Sequence, residues 1–286
     1  MAEHIAQGNA GAAPRAPLRA PLPRAYLNFV GRNLLRLTET IQGLGAFALI
    51  TMGVAVTKLG VAAPLIRPLI RAQIYRAGVR LLPMISFLGF ALGMVIIGQT
   101  VSLLTRVGAQ DFAGLVMVSV VVRELGPIIA ALLVLARVGT ATVIELGTSR
   151  ALGEVEALEA LGIDPVHYLV VPRVIGLALA IFSLTVYLIL TALVSGYLFA
   201  FVNDVPLRPG EYFSQLASAL QWQDFALLAL KTVSFGAIIA VVTCYQGLAQ
   251  PLRIEEVSDA TTRAVVHSVI GCVLLDALFI VVYLLV

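Results

Sequence analysis

The sequence predicts an all-α integral membrane protein. An N-terminal interfacial (elbow) helix precedes five transmembrane helices, and a short cytoplasmic helix lies between spans two and three. Three observations carry this reading. Of 286 residues, 60% are hydrophobic and only 12% charged, against roughly 25% charged in soluble domains. The apolar residues fall in stretches long enough to cross a bilayer, about 20 residues each. Lys and Arg gather in alternate connections. Too few polar groups are present to cover a soluble protein of this size, so soluble enzymes and disordered chains are excluded.

The elements follow in order. In residues 1–25, Pro14, Pro17, Pro21 and Pro23 alternate with Arg15, Arg19 and Arg24, and no apolar core follows the start. This reads as a disordered cytoplasmic tail, not a secretory signal. Residues 26–80 form an interfacial region. Arg32 and Arg36 lead into the apolar run Ile41–Val56, about 16 residues and short of spanning length. Lys58, Arg67, Arg71, Arg76 and Arg80 follow, with Pro64 and Pro68 expected to break any long helix. Tyr26–Lys58 is therefore expected to lie in the interface with its arginines toward anionic headgroups; an additional span is the competing reading. Residues 81–286 supply the five spans: Leu81–Leu104, Phe112–Ala136, Val174–Val202, Phe225–Tyr245 and Val265–Val286.

Placing the N-terminus inside puts fifteen of the 19 basic residues on the cytoplasmic side. Arg106 and Arg208 fall outside, and Arg123 and Lys231 lie within spans. No internal repeat supports an inverted-repeat plan.

Several chemistries drop out. The net charge of +3 is too small, and the basic residues too dispersed, for a nucleic-acid surface. A Walker A loop ends in Gly-Lys-Ser/Thr, but Thr57 and Leu230 precede the two lysines. The chain is expected to catalyse no reaction and to bind no cofactor; any ATP and Mg must sit on a partner ATPase. Cys244 and Cys272 read as buried apolar residues. His4, His167 and His267 make no i,i+4 pair, so no metal site is expected.

The connection Arg137–Arg173 is too long for a simple turn. Ala151, Leu152, Val155, Leu158 and Leu161 recur at helical spacing, while Glu154, Glu156 and Glu159 occupy other faces. A short amphipathic helix is expected, stopped by Gly162 and Asp164-Pro165. It either packs under the bundle or docks a cytoplasmic partner.

The same segment carries a resemblance. ELGTSRALGEVEALEALGIDPVHYLVVPR resembles the EIGTMRxTEQIDALxxMGIDPxxYLVxPR stretch of MlaE-type permeases, the membrane subunits of MCE lipid-transport ABC systems. VVRELGPIIAALLVLARVG, RAQIYRAGVRLLP and ATTRAVVHSVIGCVLLDALF are similar to further stretches of that family. The resemblance runs from about Arg71 to Val286. It implies a permease that pairs with a second copy of itself in the bacterial inner membrane, with a cytoplasmic ABC ATPase dimer below and an MCE-domain protein on the outer side. The expected cargo is phospholipid. It also implies ATPase coupling through Glu145, Arg150, Val155, Leu158, Glu159 and Asp164. Two stretches depart from the family pattern: Leu152-Gly153-Glu154 replaces Thr-Glu-Gln, and residues 251–258 replace a Gly-rich stretch. Glycine inside a helix costs about 1 kcal/mol relative to alanine, so a shorter helix is expected there.

Four ionisable residues fall within spans: Arg123, Glu124, Lys231 and Asp276. Each costs roughly 2.5–3.5 kcal/mol at the bilayer centre, so they must pair or line a wet cavity. Two cations and two anions permit a neutral structural network. The functional reading is a cavity for a lipid headgroup, with Arg123 and Lys231 toward phosphate, and the resemblance implies that second reading because these positions match charged residues of the family's lipid cavity. Pro127 lacks an N–H and clashes with the carbonyl of Arg123, so a kink is expected beside the charges. A self-contained ion-coupled carrier using Glu124 and Asp276 is the alternative function; an intramembrane enzyme has no supporting motif.

Overall fold

In lipid every backbone N–H and C=O must be satisfied within the protein, which leaves helices as the simplest spanning element. A computed structural model describes residues 22–58, 63–109, 112–202, 209–248 and 253–285, and all regular structure among them is helical. Most of the expected N-terminal tail, residues 1–21, lies outside the described residues, as do residues 251–252 of the departing stretch. The chain divides into two compact units, residues 1–45 and 46–286. The described part of the first is the N-terminal portion of helix α1 (Leu22–Lys58), which runs on into the second.

Among the described residues, six helices are long and apolar enough to cross a membrane. Five overlap the expected spans almost completely and reach beyond them on at least one side: Ile66–Arg106, Ala113–Ala151, Val166–Phe199, Trp222–Leu248 and Ile254–Leu285. The sixth is Thr38–Thr57 within α1, 20 residues long. The run Ile41–Val56 is lengthened by Thr38, Glu39, Thr40 and Thr57, and Thr57 does not end the helix: its hydroxyl donates to the Gly53 carbonyl at 2.7 Å. Length therefore no longer favours an interfacial helix over an additional span.

The first span is entered through α2 (Ala63–Ala77), which carries Pro68 inside it rather than breaking there. A single 3₁₀ turn, Val79–Leu81, joins α2 to α3 (Leu82–Leu92), and a π-helical turn, Gly93–Ile97, leads into α4 (Gly98–Arg106).

The second span is one continuous helical path. It runs through α5 (Ala113–Met117), a π-helical stretch Val118–Leu125, α6 (Gly126–Val134), a second π-helical turn Leu135–Gly139, and α7 (Thr140–Ala151). Pro127 sits in the first turn of α6, where its missing N–H is tolerated best. The wider turn before it sends the Gly126 N–H back to the Val121 carbonyl, five residues away.

The long helix α9 (Val171–Val202) is the hub. It packs against α2, α3, α6 and α11 (Trp222–Leu248). Ile85, Ala130, Val134, Ile181, Leu184, Leu188, Phe235 and Ile239 fill the space between these helices and are buried. A smaller cluster with Met117, Val121, Ala192 and Tyr212 lies at the other end. It brings in α10 (Pro209–Ala219), and the Tyr212 hydroxyl donates to the Leu193 carbonyl at 3.0 Å. The last helix, α12 (Val257–Leu285), lies on α11 and α7. Its most apolar stretch is only 17% buried, so most of that surface faces lipid or a partner.

Candidate functional site

The four intramembrane charges come from three elements and meet in one cluster. Arg123 and Glu124 are on the π-helical stretch before Pro127, Lys231 is on α11 and Asp276 on α12. Lys231 is fully buried. Its Nζ lies 3.0 Å from Glu124 Oε2 and 2.7 Å from Asp276 Oδ1. It also donates to the Arg123 carbonyl oxygen at 2.8 Å. An ammonium has three protons, and three acceptors surround this one. The third is the carbonyl that Pro127, four residues on, cannot engage. The proline that widens the helix thus exposes an acceptor, and the buried lysine fills it.

Arg123 does not share in that arrangement through its side chain. Its guanidinium forks onto Asp224, with Nε 2.8 Å from Oδ1 and Nη2 3.2 Å from Oδ2. The Tyr283 ring lies under it, 5.2 Å from its centre. The expected two-by-two pairing is therefore corrected. Lys231 holds both Glu124 and Asp276, and the arginine takes a fifth residue that the sequence reading left out. Asp224 is buried at the start of α11, where its Oδ2 also accepts the Gln221 N–H at 2.9 Å. An acid in the first helical turn is the one local signal that marks it.

Exposure separates the members. The Lys231 side chain is 0% exposed and Asp224 3%, whereas Arg123 is 24% and Glu124 33% exposed. The buried pair anchors the cluster, and Arg123 with Glu124 forms its open edge. That edge presents one cation and one carboxylate, paired with Asp224 and Lys231 respectively.

The predicted coupling residues divide by role. Val155 is buried against Leu146, Val170, Cys244 and Leu248, so it anchors the loop instead of offering a contact. Glu145 sits on α7, before the short helix, and bridges Arg76 and Arg173 at 3.0 Å each. Asp164 accepts the Val166 N–H at 3.0 Å and starts the helical path into α9. Arg150 pairs with Glu156 at 3.2 Å. Leu158 is half-buried, and Glu159 is exposed.

The short helix itself, α8, spans only Glu154–Ala160. The expectation that Ala151 and Leu152 begin it is corrected: α7 runs on through Ala151, and Gly153, at φ +77°, turns the chain. The expected stop holds. Ile163 N–H reaches the Leu158 carbonyl and Gly162 N–H the Glu159 carbonyl, closing a Schellman motif with Gly162 at φ +75°. The tip of the loop exposes Leu152, Leu161 and Ile163 beside Glu154, Glu156 and Glu159. An apolar patch with a rim of acids is the surface a soluble partner with a basic groove fits.

No group of His, Cys, Asp and Glu among the described residues is arranged to hold a metal. Cys244 and Cys272 are buried free thiols, as their apolar settings predict.

Comparison with known proteins decides the class. Residues 70–282 match the family described as Permease MlaE. The chain belongs to the MlaE permease family. It is 30% identical over 241 residues to a probable ABC transporter permease protein of Rickettsia typhi, covering 84% of this chain and 91% of that one. A Synechocystis protein of the same description is 37% identical over 184 residues, 63% of this chain and 68% of its own length. The intermembrane phospholipid transport system permease protein MlaE of Haemophilus influenzae is 27% identical over 246 residues, 85% of this chain and 92% of its own. The MlaE family match begins at the C-terminal part of α2, so it includes the whole charged cluster and the α8 loop.

Proposed function

We propose that this MlaE-family chain is the membrane-spanning subunit of an ABC transporter that moves phospholipids or related lipids between membranes. The observation that carries the reading is the Arg123–Glu124 edge standing on the buried Lys231 cluster within the spanning helices. A headgroup phosphate meets Arg123 there, and the adjoining carboxylate suits an ammonium-bearing headgroup.

The chain works with partners. A second copy completes the lipid route, a cytoplasmic ATPase dimer binds the α8 loops, and an MCE-domain protein extends the route on the outer side. ATP and Mg bind to the ATPase. The membrane is the bacterial inner membrane, with the N-terminus cytoplasmic. Nucleotide binding shifts the permease because the ATPase dimer holds one arrangement of the loops more tightly than the other. The continuous helix Ala113–Ala151 joins the loop to the charged cluster, so a tilt at α7 is felt at Arg123 and Glu124.

An ion-coupled carrier needs carboxylates that release and take up protons in turn. Lys231 holds Glu124 and Asp276 together in one ion cluster, which favours the lipid reading. The test is purification of the intact complex followed by mass spectrometry of its protein and lipid components. An ABC ATPase and bound phospholipid are expected; a chain that purifies and transports without either overturns the reading.

A further inference from the structure

A second charged site lies apart from the intramembrane cluster, on the face that the Lys/Arg distribution assigns to the cytoplasm. A pocket of about 330 Å³ opens there, lined by Arg76, Arg80, Arg137 and Glu145 over a floor of Leu81 and Val138. That volume falls at the lower end of ligand-sized pockets, about 300–1,000 Å³. Arg76 comes from α2, Arg80 from the 3₁₀ turn and Arg137 from the π-helical turn before α7, so the site is assembled by both span ends that meet at this face.

Its charges do not balance. Glu145 is the carboxylate of the pocket, and each of its oxygens is already taken, one by Arg76 and one by Arg173, both at 3.0 Å. Arg80 lies over the Tyr75 ring, 5.9 Å from the ring centre, and pairs with no carboxylate among the described residues. Arg137 pairs with no carboxylate among the described residues. Two guanidiniums therefore face the pocket without a counter-charge, next to a third that Glu145 holds in place. Guanidinium forks match the oxygens of a phosphate.

The surroundings say which kind of phosphate. One turn from Arg80 toward the membrane, Met84 is exposed, and Leu132 is exposed just over one turn from Arg137. Exposed apolar side chains about one helical turn from two pocket arginines suit a ligand with a charged head and an apolar tail.

We propose that Arg80 and Arg137, with Arg76 positioned by Glu145, form a binding site for the phosphate headgroup of an anionic phospholipid of the cytoplasmic leaflet. The site is separate from the transport cluster and does not depend on the transport reading.

The test uses the full chain in detergent, equilibrated with equal amounts of phosphatidylglycerol and phosphatidylcholine, with retained lipid counted by native mass spectrometry. Phosphatidylglycerol is expected to be enriched on the wild-type chain, and Arg137→Gln and Arg80→Gln are each expected to lower that enrichment about fivefold. Arg137→Lys should keep part of it. Arg106→Gln, at the far end of the same span, should leave it in place. Enrichment unchanged in both glutamine variants overturns the proposal. Displacement of phosphatidylglycerol by millimolar inorganic phosphate assigns the pocket to free phosphate and overturns the lipid assignment. Loss of ATPase capture with lipid enrichment intact makes the pocket a protein contact, which also overturns it. If Arg137→Gln does not purify as a folded protein, Arg80→Gln decides alone.

Discussion

The Lys231 ammonium donates to the Arg123 carbonyl at 2.8 Å, and that carbonyl is the one to which Pro127, four residues on, has no N–H to donate. A helix break, a buried cation and two carboxylates are thereby joined in one arrangement. Removing the fully buried cation strands both carboxylates, at about 3–5 kcal/mol. Lys231→Met is expected to lower thermal stability by that order. Pro127→Ala returns an N–H to the Arg123 carbonyl, so Lys231→Met should cost about 1 kcal/mol less in the Pro127→Ala background. A double-mutant cycle read by thermal unfolding in detergent checks this; strict additivity would show that the lysine and the proline are unrelated.

Asp224 offers a second test. It holds Arg123 by a fork and also ties down the Gln221 N–H. Asp224→Asn keeps the shape and removes the charge from a residue 3% exposed, so a loss of about 2–4 kcal/mol is expected. Arg123→Lys should not substitute, because an ammonium cannot span both carboxylate oxygens. If Arg123→Lys matches wild type in both stability and lipid retention, the fork has no role.

Close packing of α9 on the first span depends on Gly93. A Cβ built there collides with Ser195 Oγ and with the Ala192 backbone carbonyl. Gly93→Ala must push the helices apart and is expected to cost about 1–3 kcal/mol, read as a lower melting temperature. Gly45→Ala is the control, since nothing lies within 4 Å of its added Cβ.

The α8 loop predicts a change in assembly rather than in stability. Glu159 is exposed on a helix that ends in a Schellman turn. Glu159→Lys, with Glu156→Lys as a second variant, is expected to reduce ATPase recovery several-fold in pull-downs, and more so at low salt. The melting temperature of the isolated chain should stay within about 2 °C, as expected for a surface change. Val155→Ala should act the other way, lowering stability through the buried cluster with Leu146 and Cys244.

The charged cluster was legible because its members stand in apolar runs. Arg123, Glu124, Lys231 and Asp276 each break a hydrophobic stretch, and charges at that depth must find partners. Asp224 was missed for the opposite reason: it precedes its apolar run, and its partner lies 101 residues away. The stop at Gly162 was readable from local chemistry. The start of α8 was not, because apolarity fades after Ala136 while the helix continues to Ala151, held by packing against α11 and α12. Periodicity cannot separate one long helix that bends at Gly153 from two shorter ones. The N-terminal helix shows the same limit, since a run counted from Ile41 to Val56 omits Thr38, Glu39, Thr40 and Thr57, which extend it to 20 residues.

The central claim is that the cluster handles lipid and does not merely hold the bundle together. Glu124 decides this, because it is the most exposed carboxylate of the cluster, 33% exposed against 14% for Asp276 and 3% for Asp224. The measurement is phospholipid transfer by the complex of Glu124→Gln chains with its ATPase, reconstituted in vesicles, alongside the melting temperature. Transfer and co-purified phospholipid are expected to fall about tenfold or more, with a melting temperature close to wild type. Unchanged transfer and lipid occupancy, with only a lowered melting temperature, would contradict it.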